Sequence, residues 1–148
     1  MTWRELQTLT ETLLIGDHTL VKDPLKRLAL LDYAFHEVAN KAMTMRLLTE
    51  NVDEHIIRQA KAGFFIREAV LPENDDEILD IDKGLSFAVA RFIASFVSKD
   101  PNNIAKHKQE AMNIIVGYNA KVVSFLETEI QNTGEAYDTN ITRPSIDY

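Results

Sequence analysis

The histidines of this chain are the side chains best suited to metal chemistry, but their spacing does not favour it. Four histidines are spread over separate segments: His18, His36, His55 and His107. None of them forms H-E-x-x-H or E-x-x-H with a carboxylate, the spacings that place two ligands on one helix face. Glu37 directly follows His36, whereas a di-iron bundle needs Glu-x-x-His on two helices. The pattern favours solvated or interface histidines over a metal centre.

An acidic run precedes the most apolar part of the chain. Its carboxylates are Glu73, Asp75, Asp76, Glu77, Asp80 and Asp82. An EF-hand calcium loop needs glycine at its sixth position and glutamate at its twelfth, and this run lacks that spacing. We therefore expect a solvated turn rather than a calcium site.

Motifs of other catalytic classes are absent from the sequence. The chain contains no cysteine, so it has no thiolate nucleophile, no Cys-ligated zinc and no disulfide, which fits a reducing compartment. It has no G-x-S-x-G elbow, no phosphate-binding glycine loop and no dinucleotide-binding fingerprint. We expect a protein that is not an enzyme and that needs no cofactor or metal. An acid–base pair spread over separate helices has no sequence signature and is left open.

Charge and hydropathy narrow the class of partner. The 148 residues are 45% hydrophobic, which is enough for one domain with its own core. Sixteen basic residues against 23 acidic ones give a net charge of −7, the wrong sign for binding phosphate, so we expect no sequence-specific nucleic-acid binding. The sequence has no apolar run of about eighteen residues and no basic start followed by an apolar block. We therefore expect neither a membrane span nor a secretion signal, and a cytoplasmic site of synthesis.

Residues 82–100 should form the helix around which the other elements pack. Between residues 85 and 97 the polar side chains are only Ser86, Arg91 and Ser95, and a helix that is apolar nearly all round belongs inside a bundle. We expect these three residues to form a narrow strip facing solvent or a neighbouring chain, and Asp82 to cap the first amides. The fold class is therefore mainly α, a bundle of four to five helices around a buried central helix.

Local signals place the other helices. Thr2 and Glu5 form a capping-box pattern at the start of a first helix over 2–15, which Gly16 ends. Asp23-Pro24 begins a second helix that runs to about residue 49. The Asp100-Pro101 pair repeats this signal and begins a last helix to about residue 131. Gly117 within the last helix predicts a close approach by another helix.

The stretch 51–81 admits two interpretations. Residues 52–62 have a helical pattern. Residues 64–71 are β-prone behind Gly63, and 77–81 is a second candidate strand beyond an acidic turn, which together predict a short β-hairpin near 63–81. The alternative is one helix over 53–70, and Pro72 ends either element.

The last part of the chain is poor in apolar residues. Gly134, Pro144 and many polar residues follow the last predicted helix, so residues 132–148 have too few apolar groups to form a core of their own. We predict a helical domain over 1–131 and an extended C-terminal arm over 132–148.

The order of these elements resembles a known family. A first helix with an aromatic-polar-polar-Leu start is followed by an apolar stretch ending in Leu71-Pro72. An acidic turn then leads to Asp80-x-Asp82 and to an alanine- and aromatic-rich helix. This pattern over residues 2–131 resembles the small helical head-to-tail adaptor proteins of tailed bacteriophages, also called connector or head-completion proteins.

The resemblance implies a structural role in the virion. Such adaptors form a homo-oligomeric ring beneath the portal protein, extend the channel for DNA and present a platform to a downstream neck or tail protein. It implies a protein made in the bacterial host cytoplasm and located in the virion neck. An acidic chain fits a ring around passing DNA because it does not adhere to phosphate. The candidate lumen-facing residues are Glu73, Asp75, Asp76 and Glu77.

The C-terminal segment is the candidate docking arm. In this family such an arm often docks on the portal, and the segment carries spaced anchors for a partner: Tyr137, Ile141, Ile146 and Tyr148. Arg143 is a candidate to pair with an acidic partner surface. A frayed chain end is the alternative interpretation of the same segment.

A second class of function is also compatible with the sequence. A small helical interaction or regulatory module without catalytic activity would be monomeric or dimeric. It would bind one protein partner through an exposed helix face such as Ser86, Arg91 and Ser95.

Overall fold

The computed structural model describes residues 1–42, 56–59, 65–67 and 69–138, with side chains over 1–42 and 69–122. This part of the chain contains four helices, α1 to α4, and two short strands, β1 and β2. In chain order the elements are α1 (Trp3–Leu13), α2 (Pro24–Lys41), β1 (Ile56–Gln59), β2 (Phe65–Arg67), α3 (Lys83–Val97) and α4 (Pro101–Asp138). The prediction of a mainly α protein is confirmed.

The starts of α1 and α2 that the sequence predicts are confirmed. The Thr2 hydroxyl accepts a hydrogen bond from the Glu5 amide at 3.2 Å, and the Glu5 carboxylate accepts one from the Thr2 amide at 2.7 Å. The bond from the Thr2 backbone lowers the pKa of Glu5. At α2, the Asp23 carboxylate accepts from the Leu25 amide at 3.0 Å, and proline occupies the first turn. These bonds satisfy amides that have no partner within the helix.

The helix ends agree less well with the sequence. α1 ends at Leu13, and Gly16 beyond it has φ +84°, a conformation that favours glycine. α2 ends at Lys41, and the rest of its predicted range lies outside the described residues except Ala42, which has left the helix.

The packing of α3 corrects the polar strip predicted on this helix. α3 packs against α1, α2 and α4, and nine of its fifteen residues are buried, so most of its surface is covered. Ser86 and Ser95 are among the buried residues, so the prediction that they face solvent is wrong. Their hydroxyls donate to backbone carbonyls one turn earlier, Ser95 to Phe92 at 2.6 Å, which satisfies them without water. Phe87 and Phe96 are exposed instead.

The start of α3 differs from the predicted cap. The Asp82 side chain makes no capping bond to α3, and it accepts a hydrogen bond from the hydroxyl of Tyr118 on α4. A Cβ at Gly84 would lie 3.7 Å from the Tyr118 ring, whereas one at Gly117 would have no atom of the described residues within 4 Å. The predicted close approach at Gly117 is therefore wrong, and the close approach at this helix pair lies at Gly84.

The strand pairing differs from the predicted hairpin. β2 pairs antiparallel with β1, which lies in a segment predicted to be helical. Ile78, in the predicted partner strand 77–81, instead forms an isolated antiparallel bridge with Thr2. The predicted strand over 64–71 thus contains β2, but its predicted pairing with 77–81 is not confirmed, and the alternative helix over 53–70 is wrong at β1 and β2. β1 and β2 are close in the chain, but the choice of pairing partner for a strand depends on packing that local propensity does not encode.

Helix α4 is longer than predicted. It continues past residue 131 to Asp138, so the extended arm predicted for 132–148 is wrong over 132–138. The final segment, 139–148, lies outside the described residues. Within the described residues, no helix combines the length and hydropathy needed to cross a membrane.

Candidate functional site

The acidic turn is held against the start of α1. The Arg4 guanidinium lies 3.1 Å from an oxygen of Asp76 and 4.0 Å from one of Asp75. Asp75 also accepts a hydrogen bond from the Gln7 amide at 3.3 Å. The prediction placed these carboxylates in a solvated turn, and they are largely exposed, but the turn is also tied to a helix some 70 residues earlier in the chain.

Backbone hydrogen bonds also hold the turn against α1. The Arg4 amide donates to the Asp75 carbonyl at 2.8 Å, and the Trp3 amide donates to the Glu77 carbonyl at 3.0 Å. These are first-turn amides of α1, which have no partner within the helix. Within the turn, the Glu73 amide donates to the Glu77 carboxylate at 2.8 Å. The four candidate lumen residues therefore sit on an ordered support.

A cleft of about 190 Å³ lies between this turn and the starts of α1 and α2. It is lined by Trp3, Gln7, Lys22, Pro24, Arg27, Leu28, Pro72, Glu73, Asn74 and Asp75. Arg27 donates to Gln7 at 2.6 Å and to the Val21 carbonyl, and Gln7 donates to Asp75. Several of its polar groups thus bond one another, and they brace α1, α2 and the turn.

A second polar cluster lies between α3 and α4. The Arg91 guanidinium donates to Nδ1 of His107 at 3.1 Å and lies 2.7 Å from a Glu110 oxygen. Burial lowers the pKa of His107, and the neighbouring Arg91 charge lowers it further. His107 is therefore neutral near pH 7, with Nδ1 accepting. Nearby, the Ser98 hydroxyl donates to the Asp17 carboxylate.

Sequence reasoning missed this cluster, although one signal for it was available. Arg91 is the only charge inside the apolar stretch of α3, and a charge in such a helix requires partners on a packed neighbour. Glu110 lies three residues after His107 on α4, so both face one side of that helix. The cluster joins two helices and holds no arrangement of nucleophile and base.

The histidines stay apart in the part of the chain that the structure describes. His36 contacts Asp32 within α2, its Nδ1 lying 2.9 Å from the Asp32 carbonyl oxygen, while His107 belongs to the α3–α4 cluster. His55 lies outside the described residues. Among those residues, no group of three or more histidine, aspartate or glutamate side chains is arranged to hold a metal ion.

An exposed aromatic pair lies where α2 crosses α3. Tyr33 is 71% exposed and Phe96 is 38% exposed, and their ring centroids are 6.4 Å apart in an edge-to-face arrangement. Phe96 also stacks on the buried Phe92 at 6.5 Å, and the Lys41 ammonium lies 5.9 Å from the Phe92 ring centroid. We call Tyr33 and Phe96 the aromatic pair. Water covers apolar surface here that a partner would bury.

The predicted arm residues cannot be placed at a site. Tyr137 falls within α4, at a position beyond those with described side chains. The other four candidates lie outside the described residues: Ile141, Arg143, Ile146 and Tyr148. Their role as anchors stays a prediction.

The chain was compared with protein-family models, with curated proteins and with solved structures, and no match was found in any of the three comparisons. Its function is therefore argued from its own residues.

Proposed function

We propose that this protein is a structural head-to-tail adaptor of a tailed bacteriophage. In this proposal, copies of the chain form a ring between the portal protein and a downstream neck or tail protein. The ring extends the DNA channel, and the protein has no catalytic activity and needs no cofactor. The helices around α3 form the body of each subunit, which is made in the bacterial cytoplasm and ends in the virion neck.

The observation that carries the proposal is the aromatic pair. A protein that acts by docking needs apolar surface outside its own core, and aromatic side chains are enriched in such contacts. Tyr33 and Phe96 contact each other at the surface rather than turning inward. They are thus a ready contact for a neighbouring protein in the neck.

The polar groups support a structural role. Between α3 and α4, Arg91 is hydrogen-bonded to His107 and forms an ion pair with Glu110, and between α1 and α2 Arg27 donates a hydrogen bond to Gln7. These side chains are engaged in joining elements. A catalytic site needs groups directed at a substrate, with a nucleophile or base in reach.

The acidic turn supports a position near passing DNA. Its tip, Glu73 to Asp76, is exposed and anchored by the α1 amides, on a chain of net charge −7. A channel wall with this charge repels phosphate, so DNA would slide past without being held. We propose the tip as the lumen-facing part of the subunit and residues 139–148 as the arm that docks on the portal.

Association with portal-containing heads tests the proposal. We expect the full chain to co-sediment with purified heads that contain the portal, and light scattering to detect a ring-sized species in the presence of portal protein. The variant Y33A/F96A should associate at least ~10-fold more weakly, because truncating aromatic anchors at an interface commonly costs more than 1 kcal/mol. The control is L25A, which truncates an exposed apolar side chain on α2 outside the aromatic pair.

Two results would count against the adaptor. If the full chain does not associate with the heads at all, the proposed function is contradicted. If a chain lacking residues 139–148 associates as well as the full chain does, only the proposed role of this segment as a docking arm is contradicted.

The second candidate is a small helical interaction module that binds one protein partner. The binding face predicted for this module is not available, because Ser86 and Ser95 are buried and Arg91 is paired with Glu110. The aromatic pair would serve this module instead. Two results together would favour the module. The protein would form no species larger than a dimer, alone or with portal protein, and it would bind a different partner in a way that Y33A/F96A abolishes.

A further inference from the structure

Val70 and Ile78 form an exposed apolar pair at the base of the acidic turn. Their side chains are 65% and 69% exposed. The Val70 amide donates to the Asp80 carboxylate at 2.9 Å, so Val70 lies beside the extended segment that carries Ile78. Covering both side chains would remove apolar surface from water. We call Val70, Ile78, Glu77 and Asp80 the turn-base patch.

The charge around this apolar pair is negative. Six carboxylates lie between residues 73 and 82, and Arg4 pairs with two of them, Asp75 and Asp76. A surface with an apolar centre and an acidic rim is complementary to one with an apolar centre and a basic rim.

The outer face of α4 is the candidate for the complementary surface, because it combines an exposed apolar residue with basic residues. Ala111, Ile115 and Val122 are buried against the rest of the molecule, whereas Val116, which the helical period turns away from that side, is 62% exposed. Three exposed lysines occur between 101 and 122: Lys106, Lys108 and Lys121. The single carboxylate in this range, Glu110, pairs with Arg91. On a chain of net charge −7, this part of α4 carries an excess of positive charge. By the helical period, Lys106 and Lys108 flank the side on which Val116 lies, and Lys121 lies further round the helix.

We propose that the turn-base patch of one copy of this chain docks on the outer face of α4 of the next copy. The two surfaces differ, so the contact is head-to-tail. In a row of subunits, each subunit contacts one neighbour through its turn-base patch and the other neighbour through its α4. Such contacts close into a ring when the rotation between copies permits. The inference deepens the proposed adaptor and rests on it for the closure of the ring, because the contact alone does not determine closure.

Cysteine pairing between two full-length chains tests the contact. The natural chain has no cysteine, so single substitutions report one position each. An equimolar mixture of I78C chains with V116C chains should give at least ~10-fold more disulfide-linked dimer under mild oxidation than either chain alone, because only a head-to-tail contact brings the two positions together. The control mixture is L25C with V116C, since Leu25 is exposed but lies outside both surfaces. Equal yields in all mixtures would overturn the proposal.

Charge reversal gives an independent test. K106E/K108E should weaken self-association of the full chain at least ~10-fold, and mixing it with E77K chains should restore part of the loss by reforming opposite charges across the contact. The effect should shrink as salt is raised. A loss that is independent of salt and is not restored by E77K would contradict the proposed contact.

The two proposals fail in different ways. If rings form with the portal but the I78C and V116C chains do not cross-link, the contact is wrong and the adaptor stands. If the mixture cross-links but the protein ignores portal-containing heads, the contact stands and the adaptor is wrong.

Discussion

His107 is a buried base whose surroundings oppose its protonation. Burial and the Arg91 charge lower its pKa from the ordinary value of 6.5, so below pH 6.5 the unfolded chain binds more protons than the folded one. The charged groups around it are Arg91, Glu110, Lys106 and Asp17. Its contribution to stability is complete above pH 6.5 and is lost as the pH falls toward its lowered pKa.

We therefore predict that the free energy of unfolding decreases between pH 7.5 and pH 5.5, in part through His107. H107Q should reduce this pH dependence, because glutamine retains an acceptor for Arg91 and does not titrate. Urea unfolding at the two pH values measures it. The matched control is H36Q, at a partly exposed histidine on α2, which should leave most of the dependence in place. An unchanged pH dependence in H107Q would show that His107 does not carry the effect.

At the scale of elements, the capping box of α1 joins local and distant structure. The Thr2 hydroxyl binds the Glu5 amide, while the neighbouring Trp3 and Arg4 amides are bound by the acidic turn. T2A should lower the free energy of unfolding by ~1 kcal/mol, as loss of a threonine cap commonly does. T8A, at an exposed threonine within α1, is the control and should leave stability nearly unchanged because alanine favours the helix. Chemical denaturation of both variants measures the difference, and equal stabilities would mean that the cap does not contribute.

The same elements show what the sequence can and cannot predict. Thr2 with Glu5 and Asp23 with Pro24 were readable because each signal acts within a few residues. Which side of α3 faces solvent cannot be predicted in this way, because a serine whose hydroxyl bonds a nearby backbone carbonyl, such as Ser95, is buried as easily as an alanine.

Distant contacts were equally hidden. The bridge of Thr2 to Ile78 and the pairing of Arg4 with Asp76 join segments more than 70 residues apart, and no local pattern encodes them. The acidic turn of the candidate site was therefore recognised as a turn, while its support on α1 was not.

At the scale of the whole molecule, the adaptor proposal places the tip of the acidic turn next to moving DNA. The tip is exposed and belongs to a chain of net charge −7. One backbone bond to α1 holds it at Asp75, and a second holds Glu77 just beyond it. Lysines at the tip would attract phosphate and exchange condensed counterions for contacts with DNA. A wall that repels DNA would then become one that retains it.

We predict that virions carrying E73K/D76K release DNA more slowly than natural virions at low salt, and that the delay disappears as salt is raised, since phosphate contacts weaken with ionic strength. The time course of DNA release from purified particles measures this. D32K/E37K makes the same change in net charge on α2, far along the chain from the turn, and should leave release unchanged. Because the two variants have the same net charge, a delay confined to E73K/D76K would depend on the position of the added charge. Equal delays would mean that overall charge alone acts, and the tip would then have no special place along the channel.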